Sequence, residues 1–330
     1  MSTGPSGEDS LIARYFKPLA TDPGAFGLVD DAAILQARGD DIVVTTDAIV
    51  EGVHFLPDDP PDTLARKALR VNLSDLAAKG ATAAGFVLTL ALRRADDAWL
   101  SAFARGLGED ARAFDCPLLG GDTVSTPGPL TISVTAFGRV PSGKMVPRTG
   151  ARPGDQVMVT GTIGDAAVGL DILTGGPAAN ALVRDAAARD MLIGRYRVPQ
   201  PRNALTNAIR AHARSAMDVS DGLAGDLTKL CAASHVSAVI DVARIPISAA
   251  AQSVLAQRAV DIEAMICGGD DYEILCTVPE AAGAALAAAA AQAGVALTVI
   301  GRIVDGTDAP RFLDEEGREL ALVRRSYSHF

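Results

Sequence analysis

Apolar residues recur along the chain with the periods of both strands and helices, and the two periods are mixed rather than strictly alternating. Short apolar runs predict strands at residues 41–46, 86–92, 130–140, 156–160, 238–242, 273–278 and 296–300. A further short apolar run, 118–119, ends at residues 120–122. Wider spacing predicts helices at residues 10–18, 63–79, 96–114 and 202–213, with others beginning near 166, ending near 234 and within 281–295. The order is too irregular for a simple doubly wound sheet and predicts two lobes of α/β or α+β type.

The boundary between the lobes is predicted in residues 141–154, a loop rich in proline, glycine and basic residues. We therefore expect domains at 1–147 and 148–330. The tripeptide Gly-Gly-Asp occurs in both, at 120–122 and 268–270. Two matches this short are weak evidence of a duplication.

Composition narrows the class of protein. The chain has 330 residues, of which 48% are hydrophobic and 21% charged, as in a globular protein with a substantial core. A net charge of -10 argues against a nucleic-acid binder and against an anionic membrane as partner. The four cysteines form no C-x-x-C pair, and no secretory leader precedes Gly7, so we expect a reduced cytoplasmic setting. The alanine-rich stretch 281–300 is too weakly apolar to predict a membrane span.

Aspartates stand beside Gly, Ser or Thr at or near the ends of several apolar runs. Singly, each is more typical of a turn or a helix cap, so Asp122 could start a turn and Asp221 could cap a helix. Asp75 has largely apolar neighbours, where a buried carboxylate without a partner would be costly, although Ser74 and Asp75 could instead break and recap the helix. The set comprises Asp30, Asp31, Asp47, Asp75, Asp122, Asp218, Asp221, Asp270 and Asp271.

Taken together, these carboxylates would repel one another if they met in one cleft, and hard divalent cations would relieve that repulsion. Mg²⁺ takes oxygen ligands and is commonly shared between carboxylates and substrate phosphates. The four histidines show no spacing typical of a zinc site. The sequence therefore predicts a phosphate-handling site that works through Mg²⁺.

Two further features could bind phosphate. The turn GTIGD at 161–165 follows a strand and opens a helix, but it lacks the Lys of a P-loop, and a simple tight turn is an equal alternative. Arg148 lies in the interdomain loop, where its guanidinium suits a phosphate but could equally be solvated. No nucleophile elbow and no protein-kinase signature is present in the sequence.

At this level of detail the chain resembles the thiamine-monophosphate kinases, in the aminoimidazole-ribonucleotide-synthetase-like superfamily. The matching motifs run from end to end in family order. They are SLIARYF (10–16), VDDA (29–32), TTD (45–47), EGVHF (51–55), KAL with VNLSDLAA (67–78), LGGDT (119–123), RTG (148–150), GTIGD (161–165), DVSDG (218–222), GGDDYE (268–273) and SYSHF (326–330).

The resemblance implies a two-lobed fold, a homodimer formed through the N-terminal sheets, and ATP-dependent phosphorylation of thiamine monophosphate with several Mg²⁺ ions. The N-terminal domain would bind ATP and metal, and the C-terminal domain would complete the active site. Carried over by motif, the implied metal ligands are Asp30, Asp31, Thr45, Thr46, Asp47, Asp75, Asp122, Asp218 and Asp221. The implied nucleotide contacts are Phe114, Gly121, Asp122, Arg148 and Ser220, and the implied substrate contacts are His54, Asp270 and Tyr327. Asp47, Asp75, Asp122 and Arg148 would carry the catalysis.

Two positions depart from the family pattern. Asp270 stands where the family has glutamate, so its contact is shorter by one methylene or runs through water. Phe114 stands where tyrosine is frequent, and without the hydroxyl it can contribute only packing.

The acceptor of such a kinase is already a phosphate, so direct in-line transfer needs positioning and charge neutralisation but no enzyme nucleophile. Three alternatives remain: an ATP-dependent ligase of the same superfamily, a non-catalytic Mg-nucleotide-binding protein, and an acidic structural protein without a ligand. The ending SYSHF and the segment 53–55 favour the kinase over the ligase.

Overall fold

The computed structural model describes residues 11–23, 25, 35 and 37–322. They form two compact units, the first ending at Gly143 and the second containing the chain from Lys144 onward together with Ala77–Gly80. The division after Gly143 lies just before the end of the predicted first domain, 1–147. The roles assigned to the two domains remain predictions.

The first unit is built on a four-stranded sheet in the order β1-β4-β2-β3, in which only the β2–β3 pair is parallel. Its strands are β1 (Asp41–Val50), β2 (Thr82–Leu92), β3 (Leu118–Ser125) and β4 (Thr131–Val140). Its helices are α1 (Pro61–Ala78) and α2 (Asp97–Ala113), preceded by two helical turns, Ile12–Phe16 and Lys17–Leu19.

The core of this unit follows from the period-2 pattern of its strands. Every second residue of β4 is buried, including Ile132, Val134 and Ala136. This face packs in one hydrophobic cluster with residues of α1 and α2, such as Leu69 and Phe103. The predicted strands and helices of the first lobe are confirmed in type.

Two predicted strand ends are wrong in a way that matters for function. β1 was expected to end at residue 46, and β3 to end at the Gly-Gly-Asp tripeptide. Both strands continue, so Asp47 and Asp122 lie within strands rather than at their ends. The start of a turn is therefore excluded for Asp122, and Asp75 lies inside an unbroken α1 rather than at a recapped break.

The second unit is built on a six-stranded sheet in the order β10-β7-β9-β5-β8-β6, antiparallel except for the β10–β7 pair. Its strands are β5 (Gln156–Thr160), β6 (Ser215–Asp218), β7 (Ser237–Asp241), β8 (Ile274–Val278), β9 (Leu297–Val304) and β10 (Arg311–Leu313). Its helices are α3 (Asp165–Leu173), α4 (Pro177–Ala181), α5 (Ala186–Arg197), α6 (Thr206–His212), α7 (Leu223–Ser234), α8 (Ala249–Ala256), α9 (Ile262–Cys267) and α10 (Glu280–Gln292), with 3₁₀ turns at Asn203–Leu205 and Val242–Arg244.

The helices α4, α5, α8 and α9 and the strands β6 and β10 have no counterpart in the sequence-based prediction. Three of these helices begin with a side-chain cap: Asp185, Ser248 and Asp261 each accept a backbone N–H three residues further on. Asp96 does the same for α2. Several aspartates and one serine thus cap helices. None of the predicted site aspartates within the described residues does so.

Within the described residues, no helix is long and apolar enough to cross a bilayer. The alanine-rich stretch forms α10 and then β9, in agreement with its interpretation as a helix followed by a strand. The expected cytoplasmic location remains a prediction.

The Gly-Gly pair of β3 provides a stability test with an internal control. A Cβ atom on Gly121 would lie 2.0 Å from the carbonyl oxygen of Leu88 in β2, whereas one on Gly120 would have no atom within 4 Å. Because a main-chain oxygen in a paired strand cannot move aside cheaply, we expect Gly121→Ala to lower the free energy of unfolding by about 1–3 kcal/mol. Gly120→Ala should change it by less than about 0.5 kcal/mol. Urea unfolding of both variants measures the difference, and equal stabilities would contradict the close approach.

Candidate active site

Thr45 and Asp75, two predicted metal ligands, lie in contact in the first unit. The Thr45 hydroxyl in β1 donates a hydrogen bond to Asp75 Oδ2 in α1, at 2.5 Å. Asp75 is only half-buried, so its carboxylate is not sealed in the apolar surroundings that its neighbours suggested. Neighbouring oxygen ligands of an octahedral Mg²⁺ ion are about 3 Å apart, so a slight opening of this pair would suit such an ion.

Thr46 takes part in the sheet itself. Its hydroxyl donates to the carbonyl oxygen of Val134 at 3.2 Å and shares a hydrogen bond of 2.9 Å with the Thr135 hydroxyl. Because side chains alternate along a strand, Thr45 and Asp47 lie on one face and Thr46 on the other. The structure therefore groups Thr45 with Asp47 and separates Thr46 from both.

Asp47 and Asp122 are exposed and lie on opposite edge strands of the first sheet. Register places Asp47 opposite Val134, Val134 opposite Leu88, and Leu88 opposite Gly121, one residue from Asp122. The two aspartates are thus nearly in one row, but three strand spacings, or about 14 Å, apart. With metal–oxygen bonds of about 2.1 Å, one Mg²⁺ ion does not reach both. If both bind metal, they bind different ions.

His54 is held in the turn that follows β1. Its Nδ1 accepts the N–H of Val50 at 3.1 Å, which in the neutral ring leaves the proton on Nε2. The buried Lys67 Nζ donates to the carbonyl oxygen of His54 at 3.0 Å. Arg93 forms two hydrogen bonds of 2.9 Å with Glu51, and the pKa of Glu51 is lowered chiefly by this guanidinium. His54, a predicted substrate contact, is thus held in place by hydrogen bonds to its ring and to its backbone carbonyl.

Phe114 ends α2 and packs against the core of the first unit. The guanidinium carbon of Arg70 lies 5.3 Å from the centre of its ring, and Arg70 also pairs with the buried Asp110 at 2.5 and 2.9 Å. The ring is therefore held by packing and by a cation. Its contact with a nucleotide base stays a prediction.

In the second unit, Ser220 and Asp221 form the turn between β6 and α7 and follow the buried Asp218. Asp221 does not cap α7, because the residue at the cap is Gly222, without a side-chain hydrogen bond. Instead the fully buried Asp226 accepts the N–H groups of Ser220 and Asp221 at 3.0 and 2.9 Å. A carboxylate inside the helix thus fixes the backbone of two predicted site residues.

Lys229 completes this arrangement. Its Nζ donates to Asp226 Oδ1 at 2.8 Å and also pairs with Asp221. Burial raises the pKa of Asp226, while Lys229 acts in the opposite direction. Sequence reasoning missed both residues, although an Asp and a Lys three positions apart on a helix are a visible pairing signal.

Asp270 lies beside Ser220. Its N–H donates to the carbonyl oxygen of Ser220 at 2.9 Å, and a Cβ atom on Gly269 would lie 2.4 Å from that same oxygen. The structure therefore brings together Ser220, Asp221 and Asp270. Arg148 is exposed, and its backbone carbonyl accepts the Ser234 hydroxyl at 3.4 Å. Both interpretations of its guanidinium stay open.

The glycine-rich turn GTIGD binds a carboxyl group of the protein itself. Gly164 has a φ of 86° and donates its N–H to both oxygens of Asp271, at 3.0 and 2.9 Å. Asp271 is 1% exposed, so this donor at the start of α3 already has a buried partner. The phosphate-cradle alternative is therefore wrong for the Gly164 N–H, which is already used within the protein.

Among the described residues, no three His, Cys, Asp or Glu side chains lie close enough to hold a metal ion by themselves. Asp30, Asp31 and Tyr327 lie outside the described residues. The metal-ligand assignments accordingly remain predictions. The oxygen donors that are present, carboxylates and a threonine hydroxyl, are of the kind Mg²⁺ prefers.

Two family models match the chain: "AIR synthase related protein, N-terminal domain" over residues 29–140 and "AIR synthase related protein, C-terminal domain" over residues 152–312. These matches define the class as AIR synthase related proteins. The thiamine-monophosphate kinase of Caulobacter vibrioides is 44% identical over 99% of this chain and 92% of its own length. The chain therefore belongs to the thiamine-monophosphate kinase family.

Solved structures agree with this assignment. The thiamine-monophosphate kinase of Stenotrophomonas maltophilia K279a is 38% identical, with a TM-score of 0.83 over 94% of this chain and 96% of that one. The complex of AaThiL with AMPPCP and TMP is 27% identical, with a TM-score of 0.77 over 93% and 97% of the two chains. The predicted superfamily, mixed α/β fold and family membership are confirmed.

The buried carboxylates around the GTIGD turn predict a pH dependence of stability. Burial raises the pKa of Asp271 well above its ordinary value, against the opposing effects of the Gly164 N–H and Arg195. A raised folded-state pKa means that the stabilising, protonated form is lost as the pH rises through it. We expect the unfolding free energy of the wild type to fall as the pH rises from the unfolded-state pKa of Asp271 to its folded-state pKa. The loss should be about 1.4 kcal/mol for each unit by which folding raises the pKa.

The Asn side chain of Asp271→Asn cannot ionise. The free energy of unfolding of this variant should therefore increase relative to that of the wild type as the pH rises from 4 to 8. Urea unfolding at several pH values measures the difference between the two proteins. Asp308→Asn, at an exposed position, is the control and should follow the wild type. Parallel curves for the wild type and Asp271→Asn would show that the buried carboxyl does not titrate in the folded protein.

Proposed function

We propose that this protein transfers the γ-phosphoryl group of ATP to the phosphate of thiamine monophosphate, giving thiamine diphosphate and ADP. The observation that carries the proposal is the full-length similarity to thiamine-monophosphate kinases, one of 44% identity. The AaThiL complex with AMPPCP, an ATP analogue, and TMP adds support for both substrates.

The reaction is a direct in-line transfer. An oxygen of the acceptor phosphate attacks the γ-phosphorus, and the bond from that phosphorus to the β–γ bridging oxygen breaks, so the electron pair leaves with ADP. A phosphate oxygen is already ionised at neutral pH, so no enzyme nucleophile is needed. The chain's task is to align two polyanions and offset their charge.

The donor groups of the first unit suit this task. Asp47, Asp75, Asp122 and the Thr45 hydroxyl would hold Mg²⁺ ions, which when bound neutralise charge on both phosphates. The spacing of Asp47 and Asp122 across the sheet favours more than one ion. The proposal also assigns Asp30, Asp31, Asp218 and Asp221 to Mg²⁺, but not the Thr46 hydroxyl, which lies on the other face of β1 and is bonded within the sheet.

The other residues would bind and orient the substrates. Arg148 would pair with a nucleotide phosphate through its planar guanidinium. Ser220, Gly121 and Phe114 would contact the nucleotide. His54, Asp270 and Tyr327 would contact thiamine monophosphate, with Asp270 reaching less far than the glutamate usual in the family.

The first test is direct. The protein is mixed with ATP, Mg²⁺ and thiamine monophosphate, and thiamine diphosphate and ADP are measured; we expect them in equal amounts. Substrates of the superfamily ligases are the comparison. Turnover of those alone would replace the kinase by a ligase, and Mg-ATP binding without turnover of either would indicate a non-catalytic nucleotide-binding protein.

Asp122→Asn tests the acidic set. Asp122 is exposed in an edge strand, so its removal should leave Tm within about 2 °C of the wild type. We expect kcat/KM to fall by about 10²-fold or more, because charge stabilisation at the transferring phosphoryl is lost. Asp58→Asn, at another exposed position of the same unit, is the matched control and should retain full activity. Near-normal turnover by Asp122→Asn would remove this residue from the site.

We also infer that the protein forms a homodimer through the outer face of the first sheet. Val44 in β1 is 57% exposed, and register places it opposite Phe137 in β4, which is only partly buried. Exposed apolar side chains on a sheet face are typical of an interface.

We expect Val44→Asp to shift the sedimentation coefficient to that of a monomer. Val183→Asp, at a 72% exposed valine of the second unit, should leave the wild-type value; an unchanged Val44→Asp would contradict this interface.

A further inference from the structure

The segment 268–273, which carries Asp270, has an unusual backbone. Asp270 and Tyr272 have φ values of 71° and 51°, in the left-handed region that residues with a Cβ atom avoid. Each such residue costs about 1–2 kcal/mol relative to an ordinary conformation. Other contacts must therefore hold the segment in this shape.

The side chains on either side of Tyr272 supply those contacts. Asp271 accepts the Gly164 N–H with both oxygens. Glu273 is fully buried and accepts the Thr160 hydroxyl at 2.7 Å and Arg202 Nε at 2.6 Å. Because the side chains of Asp271 and Glu273 are both fixed by hydrogen bonds, the backbone of Tyr272 between them is held on both sides.

Arg195, from α5, joins these groups. Its Nη2 donates to Glu273 Oε1 at 2.7 Å and to the carbonyl oxygen of Asp271 at 3.4 Å. Its Nε is buried without a hydrogen-bond acceptor among the described residues, and Asp165 Oδ2 lies 3.9 Å away. One guanidinium thus contacts the backbone and a side chain of the segment 268–273 and faces the first residue of α3.

Charge also points to Arg195. Glu273 is fully buried and pairs with two arginines, Arg195 and Arg202, and Arg195 also faces the buried Asp165. Loss of one guanidinium would leave buried carboxylates uncompensated, which is among the costlier changes in a protein interior. The Glu273 carboxylate also needs a glycine at position 161, because a Cβ atom there would lie 2.1 Å from Glu273 Oε1.

We propose that Arg195, acting through Glu273 and the Asp271 carbonyl, is a positioning residue that holds Asp270 in place for the acceptor substrate. The proposal rests on the function proposed above, in which Asp270 contacts thiamine monophosphate. In this proposal Arg195 acts only through the protein and is assigned no contact with the reacting atoms. Its effect is carried by the backbone of the segment 268–273, whose Asp270 and Tyr272 N–H groups donate to the carbonyl oxygens of Ser220 and Val219 at 2.9 and 2.8 Å.

Arg195→Met and Arg195→Lys form the test pair, with Arg184→Met, at an exposed position, as the control. In Arg195→Met we expect the KM for thiamine monophosphate to rise about tenfold or more, and the KM for ATP to change less than threefold. Arg195→Lys keeps the charge but not the planar fork, so its KM should lie between those of the wild type and Arg195→Met. Arg184→Met should match the wild type.

A second readout does not depend on activity. Hydrogen exchange of the Asp270 and Tyr272 amides should be at least tenfold faster in Arg195→Met than in the wild type, while exchange in β9 stays the same. If Arg195→Met fails to fold, the same two comparisons are made with Arg195→Lys.

The outcomes separate the two proposals. Equal rises in both KM values, or unchanged exchange at these two amides, would overturn the positioning role of Arg195. A wild type that forms no thiamine diphosphate would instead overturn the proposed function, and the exchange result alone would then decide whether Arg195 holds the segment.

Discussion

A carboxylate taken out of water needs partners within the protein, and the two units of this protein differ in how far they bury theirs. In the second unit the acids Asp165, Asp271 and Glu273 are buried and accept hydrogen bonds from arginines, hydroxyls and a backbone N–H. In the first unit Asp47 and Asp122 are exposed on strands and Asp75 is half-buried against a threonine hydroxyl. A buried carboxylate with partners in the protein fixes the shape around it, whereas an exposed carboxylate is accessible to a cation from solution.

This difference explains how one chain can use the same residue type for structure and for chemistry. Asp226 and Asp271 bind backbone N–H groups, and burial raises the pKa of both. They hold the segments that carry Ser220 and Asp270, residues that the proposed reaction places against the substrates. An enzyme that aligns two polyanions gains most from such rigidity, because a misplaced group costs rate even when every ligand is present.

The sequence predicted two lobes that each mix helices and strands. It also predicted most strands of the first sheet, because those strands have a clear period of two. It failed where a polar residue continues a strand: Asp47 and Asp122 looked like strand ends, yet backbone pairing with β4 and β2 carries both strands past them. Pairing energy of this kind comes from a partner distant in sequence and leaves no local signal. Arg195 and Arg202 were missed for a similar reason, since their partner Glu273 lies more than seventy residues away.

The GTIGD turn shows why a motif needs its surroundings before it is given a role. Read alone, a glycine turn opening a helix suits an anionic ligand, and Gly164 does donate its N–H to a carboxyl oxygen. That carboxyl group belongs to Asp271 of the GGDDYE motif, so two motifs that are far apart in the chain form one structural unit. Within that unit, the left-handed backbone at Asp270 directs the side chain that the proposed function assigns to the acceptor. Its shorter reach, one methylene less than glutamate, makes the exact placement of this backbone more important, since a short side chain has fewer rotamers with which to correct an error.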